Sequence, residues 1–255
     1  MTGKNRRLRR LFIGSHHRCL LVPLDHGPWL GPLAGIDHPC DIVNQVVAGG
    51  ANALLVTPGF MREIEPIIHP EVGIVLRVSL SAGLSAEAVQ EVPTMTATTA
   101  VRLDADAVAV SIFFGRGGEV TLMRWLGQLI EECNGLDIPV LAEMMPPPDK
   151  FYQPEAIAHA ARIGMELGAD VIKTNYCGNV EAFKQVVAAI RLPILVAGGP
   201  SESEDDTLRV AEDAIRAGAA GVAFGRRVWQ ASDPKGIVCK LKEVVFSAES
   251  PTTEN

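Results

Sequence analysis

Residues 154–176 read PEAIAHAARIGMELGADVIKTNY, and this stretch decides the fold. Pro154–Leu167 carries its apolar residues at helical spacing, with polar ones on the opposite face. Gly168-Ala169 then stops the helix, because glycine accepts the left-handed conformation that turns a helix end into a sheet. The short run Asp170–Asn175 follows. Its β-branched Val171 and Ile172 sit side by side, so the strand has no solvent-facing side and reads as a parallel strand buried on both faces.

The same step recurs along the chain. Apolar runs occupy Cys19–Asp25, Ala53–Pro58, Ile74–Ser79, Ala107–Phe113, Pro139–Met144, Asp170–Asn175, Pro193–Ala197 and Gly221–Gly225, with helical stretches such as Glu204–Ala217 between them. Gly50-Ala51 and Gly218-Ala219 repeat the stop seen at Gly168-Ala169. Eight strand–helix steps predict an α/β fold, a single (β/α)8 TIM barrel, with a doubly wound open sheet as its rival. The 255 residues suit that architecture, which takes about 250. One segment is weak: Phe60–Glu71 holds two prolines and supplies only a short helix. The expected organisation is an N-terminal helical extension over 1–18, a barrel over 19–249 and a disordered tail over 250–255.

Composition narrows the function. Apolar residues make up 47% of the chain but aromatics only 5%, so the core is mainly Val, Ile, Leu and Ala. The net charge of −7 and pI near 5.4 argue against a nucleic-acid or anionic-membrane surface. The basic cluster Arg6, Arg7, Arg9 and Arg10 interleaves with Leu8, Leu11 and Phe12, which reads as a helix docking its apolar face on the base of the domain. The five cysteines contain no CxxC pair and read as reduced thiols of a cytoplasmic protein. No signal peptide or apolar stretch of about 18 residues is visible.

Barrel enzymes work at the C-terminal ends of their strands, where every second residue points inward. Lys173 stands near such an end. It is either a structural lysine paired with a carboxylate or, as the strand end favours, a desolvated amine nucleophilic near neutral pH. Asp25 shares inward parity with Leu21 and Pro23; it reads as a proton-shuttling carboxylate or a loop anchor. Beside Lys173 it would hold the amine charged, and Arg77, inward on the third run, is a candidate to offset it. Glu143, also inward, is an acid or base or a partner for Lys173. His26 contacts substrate or a backbone carbonyl. Ala197-Gly198-Gly199-Pro200 and Phe224-Gly225-Arg226-Arg227 end the seventh and eighth runs, where barrels hold phosphate on glycine N–H groups; Arg226 can add charge-assisted bonds. The six histidines show neither HxH nor HExxH spacing, so no metal site built on one element is expected.

The motifs PLDHG (23–27), GADVIKTNY (168–176), PILVAGGP (193–200) and AGAAGVAFGRRVWQ (217–230) resemble the archaeal-type class I aldolase group. That group includes fructose-bisphosphate aldolases, 2-amino-3,7-dideoxy-D-threo-hept-6-ulosonate synthases and related synthases and thiolases. The resemblance runs from Arg6 to Val245. It implies Lys173 as the Schiff-base lysine, Asp25 as its assisting carboxylate, and phosphate at the Gly198-Gly199 and Gly225-Arg226 loops. It also implies no metal or organic cofactor, and a homo-oligomer, a pentameric ring or a decamer.

One departure matters. Where the aldolases carry a proton-transfer tyrosine in a pattern like MMYPRG, this chain has Met144-Met145-Pro146-Pro147. Proline transfers no proton, so Glu143, or Tyr152 reaching back from the loop, must act instead, or the reaction differs. The expected activity is that of an aldolase or transaldolase-type synthase acting on a phosphosugar. Dihydroxyacetone phosphate or a related ketone phosphate is the expected donor, and a small aldehyde such as aspartate semialdehyde the acceptor. The rival readings are a Schiff-base thiolase using coenzyme A and a phosphosugar isomerase or binding barrel without imine chemistry.

Overall fold

The computed structural model describes residues 2–82, 90–199 and 203–247. Among the described residues are ten strands: β1 (Cys19–Pro23), β2 (Ala53–Val56), β3 (Gly73–Arg77), β4 (Ser79–Ala82), β5 (Gln90–Pro93), β6 (Ala107–Phe113), β7 (Val140–Met145), β8 (Val171–Asn175), β9 (Ile194–Ala197) and β10 (Gly221–Ala223). Eight of them close into a barrel in the order β1-β2-β3-β6-β7-β8-β9-β10. Every pairing in it is parallel, and Cys19 opposite Gly221 shuts the ring. The open-sheet rival is thereby excluded.

Strand parity divides the core in two. Leu20, Val22, Val108, Val110, Ala142, Met144, Ile172 and Val196 face outward and pack under the helices. Cys19, Leu21, Ala53, Leu55, Val75, Ala107, Ala109, Leu141, Val171, Leu195 and Ala223 fill the interior. The helix Pro154–Leu167 ends at Gly168, whose φ of 99° is the left-handed conformation expected there. Gly221 answers a different need, since any side chain on it would collide with the Cys19 carbonyl across the seam.

The helix Gly3–Leu11 plugs the bottom of the barrel, and Leu11 and Phe12 join the interior core. Polar contacts fix it there. Lys4 pairs with Asp170 at 2.9 Å and Arg10 with Asp106 at 3.0 Å, and the Asn52 amide donates to the Leu11 carbonyl at 2.8 Å. Part of the basic cluster therefore holds the barrel base. After β2 the chain makes only the seven-residue helix Pro58–Ile64, as its prolines predict.

One element differs from expectation. The third run ends its barrel strand at Arg77, and Ser79–Ala82 leaves to pair antiparallel with Gln90–Pro93. The run Ile74–Ser79 thus merges the end of one strand with the start of another. The tail at 250–255 and Pro200 lie outside the described residues. Among the described residues, no helix is long and apolar enough to cross a membrane.

Candidate active site

At the C-terminal mouth the interior turns from apolar to charged. Register sets the layer: Ser111 pairs with Glu143 and Glu143 with Lys173 across β6, β7 and β8. Asp25 lies two residues past β1 and keeps its inward parity, and Arg77 ends β3.

These groups form one continuous network. Lys173 Nζ donates to Glu143 Oε1 at 2.6 Å. Arg77 Nη2 donates to Glu143 Oε2 at 2.8 Å, and its Nε donates to Asp25 Oδ2 at 2.7 Å. Ser111 Oγ accepts from Arg77 Nη1 at 2.6 Å and donates to Glu143 Oε2 at 2.7 Å. Two carboxylates thus face two cations in a buried site, the condition under which buried charge is tolerated. Burial pushes the Glu143 carboxyl up, but Lys173 and Arg77 outweigh it and hold the group well below the usual carboxylate range. Asp25 follows the same logic: burial raises it, while Arg77, His26 and Lys173 together bring it below its ordinary value. The Arg77 guanidinium is opposed by its own burial yet held firmly charged by Asp25 and Glu143.

His26 stands on the other side of Asp25, its Nδ1 3.6 Å from Asp25 Oδ1, too far for a hydrogen bond. Burial lowers its imidazole below the ordinary value despite the neighbouring carboxylate. Its edge meets Trp229 at 5.4 Å between ring centroids. Gly225 makes that position possible, because a Cβ there would stand 2.6 Å from His26 Cε1.

The mouth encloses a cavity of about 220 Å³. That is below the roughly 300–1,000 Å³ of pockets for drug-sized ligands, so it suits a small one. Asp25, His26, Arg77, Glu143, Lys173, Gly198, Gly199, Gly225 and Arg226 all line it. Tyr152 does not. It is 52% exposed and lines a neighbouring cleft with Tyr176, Cys177 and Arg227, on the far side of Gly198-Gly199. Phe151 enters the cavity instead. The contributors missed by the sequence reading include Ser111 and Arg227. Ser111 is inward by parity with Ala107 and Ala109, a signal that was available. Arg227 anchors the seventh-strand loop by donating to the Gly198 carbonyl and pairing with Asp206 at 2.7 Å. Among the described residues no three His, Cys, Asp or Glu side chains converge as a metal site requires.

The DeoC/LacD family aldolase model matches residues 19–231, which span the whole barrel and every residue of the network. The chain belongs to the DeoC/LacD aldolase family. A 2-amino-3,7-dideoxy-D-threo-hept-6-ulosonate synthase of Halobacterium salinarum is 35% identical to this aldolase over 98% of the chain and 94% of that protein. A 2-amino-4,5-dihydroxy-6-oxo-7-(phosphonooxy)heptanoate synthase of Streptomyces griseus is 31% identical over 96% and 91%. An archaeal fructose-1,6-bisphosphate aldolase, solved with its catalytic Lys covalently bound to the carbinolamine intermediate of the substrate, superposes with a TM-score of 0.85. It is 28% identical, covering 95% of this chain and 99% of that one. This aldolase is thus a class I, Schiff-base enzyme of carbon–carbon bond chemistry.

Proposed function

We propose that Lys173 forms the imine, and that this aldolase joins or cleaves a phosphorylated ketose from a ketone phosphate and a small aldehyde. The observation that carries the proposal is the place of Lys173 in the mouth cavity of a DeoC/LacD family barrel, its Nζ 2.6 Å from Glu143 Oε1. Glu143 takes the ammonium proton as the amine adds to the donor ketone. The adduct nitrogen passes one proton to its oxygen to give the carbinolamine, and Glu143 then returns its own proton to that hydroxyl, which leaves as water and gives the iminium. The freed Glu143 carboxylate then removes a proton from the donor carbon, the resulting enamine adds to the aldehyde carbon, and Glu143 returns that proton to the aldehyde oxygen, which becomes the product hydroxyl. Hydrolysis of the product imine regenerates Lys173.

Arg77 neutralises Asp25 and shares Glu143 with Lys173. Asp25 stays ionised and receives the hydroxyl of the carbinolamine. Glu143 rather than Tyr152 stands in for the tyrosine missing at Pro146, because Glu143 touches Lys173 and Tyr152 does not line the cavity. Phosphate goes to the Gly198-Gly199 and Gly225-Arg226 loops, where glycine lets the backbone approach an anion. The two synthase relatives favour dihydroxyacetone phosphate or a related ketone phosphate as donor and aspartate semialdehyde as acceptor.

The test is a product screen by mass. Dihydroxyacetone phosphate and other ketone phosphates are offered with a panel of aldehydes and, separately, with acyl donors and coenzyme A. The proposal expects a condensed phosphoketose, absent in Glu143→Gln. Acyl transfer to coenzyme A without condensation would replace it with the thiolase reading.

A further inference from the structure

The hairpin beside the mouth brings one more carboxylate into the cavity, and the chemistry above leaves it unused. Glu91, on β5, lines the cavity together with Ser79, Leu80 and Ser81 of β4. Its two oxygens accept from the hydroxyls of Ser79 and Ser81. Ser79 Oγ in turn accepts the Ser111 N–H at 3.3 Å, so the side chain is tied to the barrel wall.

Charge makes Glu91 distinctive. Asp25 and Glu143 are balanced by Arg77 and Lys173. Glu91 forms no ion pair among the described residues, and its hydrogen bonds come from neutral hydroxyls. Burial pushes its carboxyl above the ordinary value, with Arg77 pulling the other way. The other cation on this side, Arg116, lies over the Phe113 ring at 4.7 Å. A partly buried carboxylate without a cation is unfavourable unless a ligand supplies one.

Barrel order says which part of a substrate meets it. In the ring β1-β2-β3-β6-β7-β8-β9-β10, β3 lies diametrically across from β9, and β6 across from β10. The hairpin follows β3, whereas the glycine loops follow β9 and β10. Lys173 and Glu143 stand on the wall between. A donor with its phosphate on the glycine loops and its carbonyl carbon on Lys173 therefore grows toward Glu91. Resting on that reading of Lys173 and the phosphate loops, we infer that Glu91 selects the acceptor: it takes an aldehyde bearing an ammonium group and disfavours a phosphorylated one. The ammonium gains charge-assisted bonds to the carboxylate. A phosphate would meet like charge in a partly desolvated site.

The test compares kcat/KM for three acceptors at fixed dihydroxyacetone phosphate: aspartate semialdehyde, neutral glycolaldehyde and glyceraldehyde 3-phosphate. The wild type is expected to prefer the ammonium-bearing aldehyde. Glu91→Gln should lower kcat/KM for that acceptor by on the order of ten- to a hundredfold, through KM, the scale of one contact to a charged group. Glycolaldehyde should be unaffected. Glu91→Lys should shift preference toward glyceraldehyde 3-phosphate. Borohydride trapping of the donor imine, which needs no acceptor, is read in parallel on every variant. An equal loss for all three acceptors in Glu91→Gln would reduce Glu91 to a structural part. Preference of the wild type for the phosphorylated aldehyde, or an intact imine with no acceptor used, would also overturn the inference. Failure of the wild type to trap any imine would instead remove the proposed function on which it rests.

Discussion

At the residue scale, the mouth is a charge balance whose members cannot be removed singly. Arg77 bonds Asp25, Ser111 and Glu143 at once. Arg77→Met leaves two buried carboxylates facing one lysine, and removing one partner of a buried pair typically destabilises by about 3–5 kcal/mol. Denaturant unfolding should show that loss; a variant as stable as the wild type would mean the network contributes no stability. The depressed carboxyl of Glu143 also sets a pH dependence. A carboxyl held below its unfolded value, about 4.3 for Glu, contributes stability at neutral pH that is lost as pH falls through that value and below. Stability should therefore drop less steeply below about pH 5 in Glu143→Gln than in the wild type. Parallel pH curves for the two proteins would contradict this. Lys173, Asp25, Arg77 and Glu143 were all legible from inward parity at strand ends. Parity cannot give distances, so it left open whether Glu143 or Tyr152 reaches Lys173. Glu91 carried no signal, because its approach to the cavity depends on a hairpin pairing.

At the element scale, the strand runs and glycine stops were legible because burial on both faces demands continuous β-branched and aliphatic residues. The hairpin β4–β5 was not. It starts two residues past Arg77 with no glycine or proline to mark the break, so the pattern of one strand runs into the next. The N-terminal helix was legible from its apolar face, and its role as a plug follows from Leu11, which is 2% exposed. Leu11→Ala should cost about 2–5 kcal/mol, the range for emptying a packed leucine site. Because the plug lies at the opposite end from Lys173, the folded variant should keep its turnover number. A large fall in kcat at full folding would show that the barrel floor and mouth are coupled.

At the scale of the whole molecule, the closed barrel turns eight separate strand ends into one cavity. Its apolar floor and helical jacket give stability, while the mouth gathers charges from β3, β7, β8 and the loop after β1, joined by the Ser111 hydroxyl of β6. Gly225 shows how closely the two are joined, since it sits on the eighth barrel strand end yet makes room for His26 from the first. Gly225→Ala should lower activity sharply with little loss of secondary structure, read by kinetics beside circular dichroism. On the function proposed above, this architecture makes Lys173 the imine-forming residue. The most direct measurement is borohydride reduction with dihydroxyacetone phosphate, followed by intact-mass and peptide analysis. A single irreversible adduct on Lys173 is expected, lost in Lys173→Met. No adduct with any ketone phosphate, or an adduct on another lysine, would contradict it.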